Sequence, residues 1–173
     1  MTEEKEFNSF SNEYLKYIES LLVKPVLNLG CGVVKFYSFN AMNVDYNPNI
    51  KPDILYDLNV FPYPFDDSSY NTIVMLHVLE HLKYPEKVIE ECYRILKQGG
   101  KLIIAFPSER SENYHHPTHI QFFTKSILKD LVSIFPKTKV FGYRGDSHEV
   151  PSWLGKLIGI FAHKVWMCMA IKS

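Results

Sequence analysis

The apolar positions of this chain change their spacing along its length. Phe7, Phe10, Tyr14, Ile18 and Leu21 recur every three or four residues, which predicts an amphipathic N-terminal helix. Pro25 opens a first short strand, Val26 to Leu29. Further strands are expected at Asn43 to Tyr46, at Ile54 to Tyr56 and at Thr72 to Leu76. The last of these is apolar along its run, which implies burial on both faces. From about Pro85 to Leu96, Val88, Ile89, Cys92 and Ile95 share one side of a helix. Gly99-Gly100 supplies its stop. Lys101 to Phe106 reads as a fifth strand closed by Pro107. A polar loop rich in His, Ser and Glu follows from Ser108 to His119. Lys125 to Phe135 reads as a helix, Lys139 to Tyr143 as a strand, Trp153 to Ala162 as a short helix and Val165 to Ile171 as a final strand.

Strand and helix alternate for most of the length. This predicts an α/β fold, a three-layer Rossmann-like sandwich around a mainly parallel seven-stranded sheet with an antiparallel last strand. A single domain over 1–173 is expected. It divides into an N-terminal helical cap (1–24), a cofactor-binding half (25–107) and a substrate-side half (108–173).

Composition narrows the partners. The 173 residues suffice for one core, and 46% hydrophobic residues exclude a disordered chain. The 19 basic and 19 acidic residues cancel, which argues against general nucleic-acid binding. Cys31, Cys92 and Cys168 are odd in number and widely spaced, so a reducing compartment, the cytoplasm, is expected rather than a disulfide framework. Met1 to Glu6 is too acidic for a signal peptide, and Lys156, His163 and Lys164 interrupt the late apolar stretch, which disfavours a transmembrane segment.

Chemistry is concentrated at predicted strand ends. Val26 to Gly32 reads Val-Leu-Asn-Leu-Gly-Cys-Gly, a buried strand that breaks into a Gly-x-Gly turn with a helix-permissive segment after it. Such turns let backbone approach a ligand closely, and open α/β sheets bind nucleotide-type ligands there. Lys35 occupies the third glycine position of a dinucleotide fingerprint, which disfavours an NAD-dependent oxidoreductase, and no P-loop is present. Asp45 ends the second strand, where an acid can accept from both ribose hydroxyls. Asp57 follows the third strand, placed to meet an adenine amino group. Each alone has an ordinary structural explanation; their order along three successive strand ends points to an adenosyl ligand.

On these residues the chain resembles the class I S-adenosylmethionine-dependent methyltransferases, in particular the small type 11 group. The resemblance covers roughly Pro25 to Leu131. It is carried by residues 26–32, by Asn-Val-Asp-Tyr-Asn-Pro (43–48) and Asp-Ile-Leu-Tyr-Asp-Leu (53–58), and by Phe-Pro-Tyr-Pro-Phe-Asp-Asp-Ser-Ser-Tyr (61–70). His-Val-Leu-Glu-His-Leu (77–82), Arg-Ile-Leu-Lys-Gln-Gly-Gly-Lys-Leu (94–102) and His-Pro-Thr-His-Ile-Gln-Phe-Phe (116–123) continue it. The resemblance implies S-adenosylmethionine as cofactor. Gly30, Cys31 and Gly32 would face its methionyl and ribose parts, Asp45 the ribose hydroxyls, and Asp57 and Leu58 the adenine. Asn28, Tyr46 and His77 complete the implied cofactor set. Four positions depart from the family pattern: Asn28 replaces an acid, Val34 a third glycine, Gln98 a proline and Asn71 an aspartate.

His77, Glu80, His81 and His119 form the candidate catalytic face. A helix beginning near Val78 would put 77, 80 and 81 on one side, with His119 at the neighbouring strand end. Two readings stay open. His81 or His119 acts as general base, or the four residues hold a divalent metal. Some O-methyltransferases with Glu-x-x-Glu-His on the same helix are similar, although His77 stands here in place of the first Glu. Tyr114, Phe122, Phe123 and Trp153 are candidates for a pocket lining. The segment Leu76-His77-Val78-Leu79 lacks the Asn/Asp-Pro-Pro-Tyr of amide and DNA N-methyltransferases. The expectation is O-methylation of a small-molecule or carbohydrate-like acceptor, with a non-catalytic S-adenosylmethionine-binding relative as the alternative.

Overall fold

The computed structural model describes residues 12–109, 111, 114–143, 149–150 and 165–173. Helix α1 (Asn12–Leu21) precedes the four parallel strands β1 (Val26–Leu29), β2 (Met42–Asp45), β3 (Ile54–Leu55) and β4 (Tyr70–Leu76). Helix α2 (Pro85–Ile95) leads to β5 (Leu96–Pro107), parallel to β4. Helix α3 (Lys125–Leu131), β6 (Lys137–Tyr143), the two-residue β7 (Glu149–Val150) and β8 (Val165–Ile171) complete the described elements. The sheet order is β3-β2-β1-β4-β5-β8-β6-β7. The final strand β8 is antiparallel to both β5 and β6, as its sequence position suggested, and β7 adds a short eighth strand at the edge. Strand order reverses between β1 and β4, and ligands in open α/β sheets bind at the carboxyl ends beside such a point.

Both sheet faces are covered, which explains the apolar runs. In β4, Ile73 and Met75 point into a cluster with Val88, Ile89, Cys92 and Ile95 of α2. Val74 and Leu76 point the other way, toward Tyr14 and Ile18 of α1. Phe7 and Phe10, the first two positions of the predicted N-terminal helix, lie outside the described residues, as does the predicted helix Trp153 to Ala162.

The helix-permissive segment after the glycine turn forms a single 3-10 turn, Tyr37–Phe39, which Asn40 ends in the left-handed conformation at φ 48°. Two expectations are corrected. Helix α2 stops at Ile95, four residues before the glycine pair, and β5 begins directly at Leu96. The buried Lys172 ammonium donates to the carbonyls of Tyr93 and Leu96 at 2.8 Å each, which satisfies the helix end without a glycine. Gly99 (φ +76°) instead lies within β5, between the Leu96 and Lys101 pairings where the register with β4 shifts, and its N–H donates to Lys172 O. Finally, the segment after β4 is one 3-10 turn, Leu79–His81, rather than the start of a helix.

Candidate active site at the strand ends

The glycine turn leaves β1 with both glycines at positive φ, +66° for Gly30 and +47° for Gly32. Their side-chain directions differ. A Cβ on Gly30 would meet Val78 Cγ2 at 2.5 Å and Cγ1 at 2.8 Å, so Gly30 lets the loop after β4 pack on the turn. Among the described residues, a Cβ on Gly32 would meet nothing within 4 Å, so Gly32 opens onto space there. The Gly32 N–H donates to Asp45 Oδ2 and the Asn47 N–H to Asp45 Oδ1, both at 2.9 Å. The acid at the end of β2 is therefore held against the glycine turn.

Asn28 lies beneath this turn, buried at 2% exposure. Its amide donates to Val34 O at 2.8 Å and to Asn43 Oδ1 at 3.0 Å. Asn43 in turn donates to Asp53 Oδ2 at 2.8 Å. A carboxylate at position 28 could not donate to Val34 O, which gives the departure from the family pattern a structural reason. The sequence reading missed this relay, because Asn43 and Asp53 carry no spacing signature of their own. Cys31 points into the core, and burial, with the Asp45 carboxylate second, pushes its thiol up to about 11. Tyr46 is exposed. Asp57 is exposed and accepts from the Asn59 N–H at 2.9 Å, while Leu58 is buried in the core.

At the end of β4, His77 has φ 55°, which is strained for a residue with a Cβ. Its N–H still continues the ladder to Ala105 O at 2.8 Å. One ring nitrogen, Nδ1, lies 3.4 Å from Glu80 Oε1. The Ile120 and Gln121 N–H groups both donate to Glu80 O at 3.0 Å, which docks the loop after β5 onto the 3-10 turn. This docking brings the His81 and His119 rings to a centroid separation of 4.8 Å at an interplanar angle of 72°. His81 Nδ1 lies 3.1 Å from Thr118 O, and His119 Nδ1 lies 3.1 Å from Tyr114 O. A carbonyl only accepts, so each Nδ1 carries the proton and each lone pair resides on Nε2. Glu80, His81 and His119 have potential ligand atoms within 4.8 Å of one another; among the described residues His77 is not part of that group.

Of the candidate lining residues, Tyr114 and Phe122 stand 5.4 Å apart beside this pair. His115 joins them, with its ring 5.5 Å from Phe122. Phe123 is buried and packs on Phe106 in the core, and Trp153 lies outside the described residues.

Residues 27–104 match the family model described as a methyltransferase domain. The fold superposes on a crystal structure of an S-adenosylmethionine-dependent methyltransferase from Archaeoglobus fulgidus, with a TM-score of 0.72, 19% identity and 92% of each chain covered. Residues 27–104 are thus similar to a methyltransferase domain, and the fold is that of an S-adenosylmethionine-dependent methyltransferase. It is also similar to an uncharacterised protein of Methanocaldococcus jannaschii, 31% identical over 120 residues, 60% of this chain and 53% of that protein. A ubiquinone/menaquinone biosynthesis C-methyltransferase of Geotalea daltonii is 30% identical over 91 residues, 51% of this chain and 38% of that enzyme. The chain thus spans about half or less of the length of these two relatives. Among the described residues no helix is long and apolar enough to cross a membrane.

Proposed function

We propose that this chain transfers a methyl group from S-adenosylmethionine to the oxygen of a small-molecule acceptor. The observation that carries the reading is the coupling of Gly32 to Asp45 at the switch point, with the imidazoles of His81 and His119 on the adjoining strand ends. The cofactor supplies an activated methyl on a sulfonium, so the protein has to bind, orient and take up a proton. The open space beside Gly32 fits a ligand backbone. Each Asp45 oxygen receives one N–H and keeps a further lone pair for a vicinal diol. Asp57 and Leu58 stand at the next strand end, where the adenine of the cofactor would be met. His81 and His119 are both in the tautomer whose Nε2 can accept the proton of an acceptor hydroxyl. Tyr114, Phe122 and His115 offer ring faces to an aromatic or sugar-like acceptor. A carbon acceptor is the second reading, favoured by the quinone C-methyltransferase relative; it too needs a proton removed.

Titration calorimetry with S-adenosylmethionine and S-adenosylhomocysteine tests the cofactor. Binding of both is expected, and Asp45→Ala should weaken it at least tenfold, about 1.4 kcal/mol. No binding of either at millimolar concentration would sink the proposal. Methyl transfer from labelled cofactor to phenols, quinols and sugars then tests the reaction. His81→Ala should slow it by about a hundredfold or more, the range of a lost general base. Binding without transfer to any acceptor class would favour the non-catalytic alternative.

A further inference from the structure

Glu80 is buried at 2% exposure, yet neither carboxylate oxygen has a hydrogen-bond partner among the described residues. His77 approaches Oε1 at 3.4 Å, which leaves Oε2 unmatched. A buried carboxylate in this state has given up its hydration and received no donor in exchange. A metal ion held between this carboxylate and neighbouring imidazoles would supply the missing partner.

The two neighbouring imidazoles are arranged as metal ligands are. Each gives its Nδ1–H to a backbone carbonyl, His81 to Thr118 O and His119 to Tyr114 O, at 3.1 Å in both cases. That outer hydrogen bond fixes the tautomer and raises the basicity of the other nitrogen. The three side chains come from two segments that are tied together by the Ile120 and Gln121 N–H bonds to Glu80 O, so their proximity is built into the backbone. Their ligand atoms lie within 4.8 Å of one another. Ligands of one tetrahedral ion stand roughly 3.3 Å apart, given metal–ligand lengths of about 2.0–2.1 Å, so side-chain shifts of about 1 Å close the site.

We infer that Glu80, His81 and His119 form a divalent-metal site of two imidazoles and one carboxylate. This donor set suits zinc, manganese or iron(II) better than magnesium or calcium. Three protein ligands leave coordination positions open, where a bound ion would hold a hydroxyl acceptor and ease loss of its proton to water; with the ion bound, the His81 and His119 Nε2 lone pairs ligate it and the ion takes the place of an imidazole base. That role rests on the methyl-transfer reading above, whereas the ion site itself rests on the geometry. His77 is not one of the ligands; its place is beside the Glu80 carboxylate.

The test uses the whole chain, stripped with chelator and titrated with zinc by equilibrium dialysis and elemental analysis. Cobalt(II) absorption serves as an independent spectroscopic signature of an imidazole-containing site. One ion per chain is expected, with affinity lowered at least tenfold in each of Glu80→Gln, His81→Asn and His119→Asn. A variant with His115→Asn and His116→Asn together should bind as the wild type does. Circular dichroism confirms that each variant folds, and S-adenosylhomocysteine binding is measured on the same samples. No zinc binding at millimolar concentration overturns the site, as does equal binding in all three ligand variants or a loss that follows only His115 and His116. If zinc fails to bind while S-adenosylhomocysteine binds, the metal falls and the methyltransferase reading stands. If zinc binds as expected and S-adenosylhomocysteine does not, the metal stands and its assigned role falls.

Discussion

Gly30 and Gly32 look alike in the sequence, and the structure gives them different work. Alanine at 30 would adopt a left-handed conformation and also overlap Val78. These effects together should cost about 2–4 kcal/mol in urea unfolding. Alanine at 32 faces open space and should cost only about 1 kcal/mol, the conformational part alone. Adding Val78→Ala to Gly30→Ala should recover the packing part of the loss and leave the conformational part. Equal destabilisation by the two single substitutions would show that Val78 does not decide the difference. The same residue scale shows the limits of sequence reasoning. Gly30, Gly32 and Asp45 were legible because a strand ending in glycines and an acid at the next strand end are chain-local patterns. The role of Asn28 was not, because its meaning depends on the carbonyl of Val34 and the amide of Asn43. The Thr118 and Tyr114 carbonyls that fix the histidine tautomers leave no mark on residue identity at all.

At the scale of elements, strands read well because burial on both sheet faces makes them short and apolar. Helix ends read less well, because distant groups decide them. Lys172, from the far end of the chain, completes α2, so the helix ends before the glycine pair that seemed its natural stop. The turn after β4 forms no helix, because His77 leaves the strand at positive φ and the next residues dock on the loop after β5. Helix α2 has a second tie that responds to pH. Arg94 donates to Glu91 at 2.8 and 3.0 Å and to Asp67 at 2.6 Å, and the Tyr63 N–H donates to Glu91 Oε2 at 2.6 Å. Burial pulls the Glu91 carboxyl upward, but the Arg94 and Tyr63 hydrogen bonds and the Arg94 charge outweigh it and hold it below its ordinary value of 4.5. A carboxylate with a lowered folded-state pKa stabilises the fold above the unfolded value. That contribution disappears as pH falls through the folded one. Glu91→Gln should therefore cost about 1 kcal/mol at neutral pH. Its unfolding curve should converge on the wild type as pH falls below 4.5 and through the lowered folded-state value. A constant gap between the two proteins across the acid range would exclude this ion pair as the source.

At the scale of the molecule, the proposed cofactor site draws on the carboxyl ends of β1, β2 and β3, with the turn after β4 packed on Gly30. Those strands are adjacent in one sheet, so a ligand held by them opposes unfolding of the whole sheet rather than the opening of one loop. The linkage has a calculable size. Ligand at a hundred times its dissociation constant adds about 2.7 kcal/mol to the folded state. For a chain of this length that corresponds to a rise in Tm of about 5–10 °C. S-adenosylhomocysteine should therefore raise the wild-type Tm by that amount in differential scanning calorimetry. Asp45→Ala should start from a lower Tm, because the Gly32 and Asn47 N–H groups lose their acceptor, and should show little further rise at the same ligand concentration. His81→Asn should show the full rise, because the proposed function puts His81 on the acceptor side and not on the cofactor turn. An undiminished shift in Asp45→Ala would remove Asp45 from the site, and a lost shift in His81→Asn would bring His81 into the cofactor site.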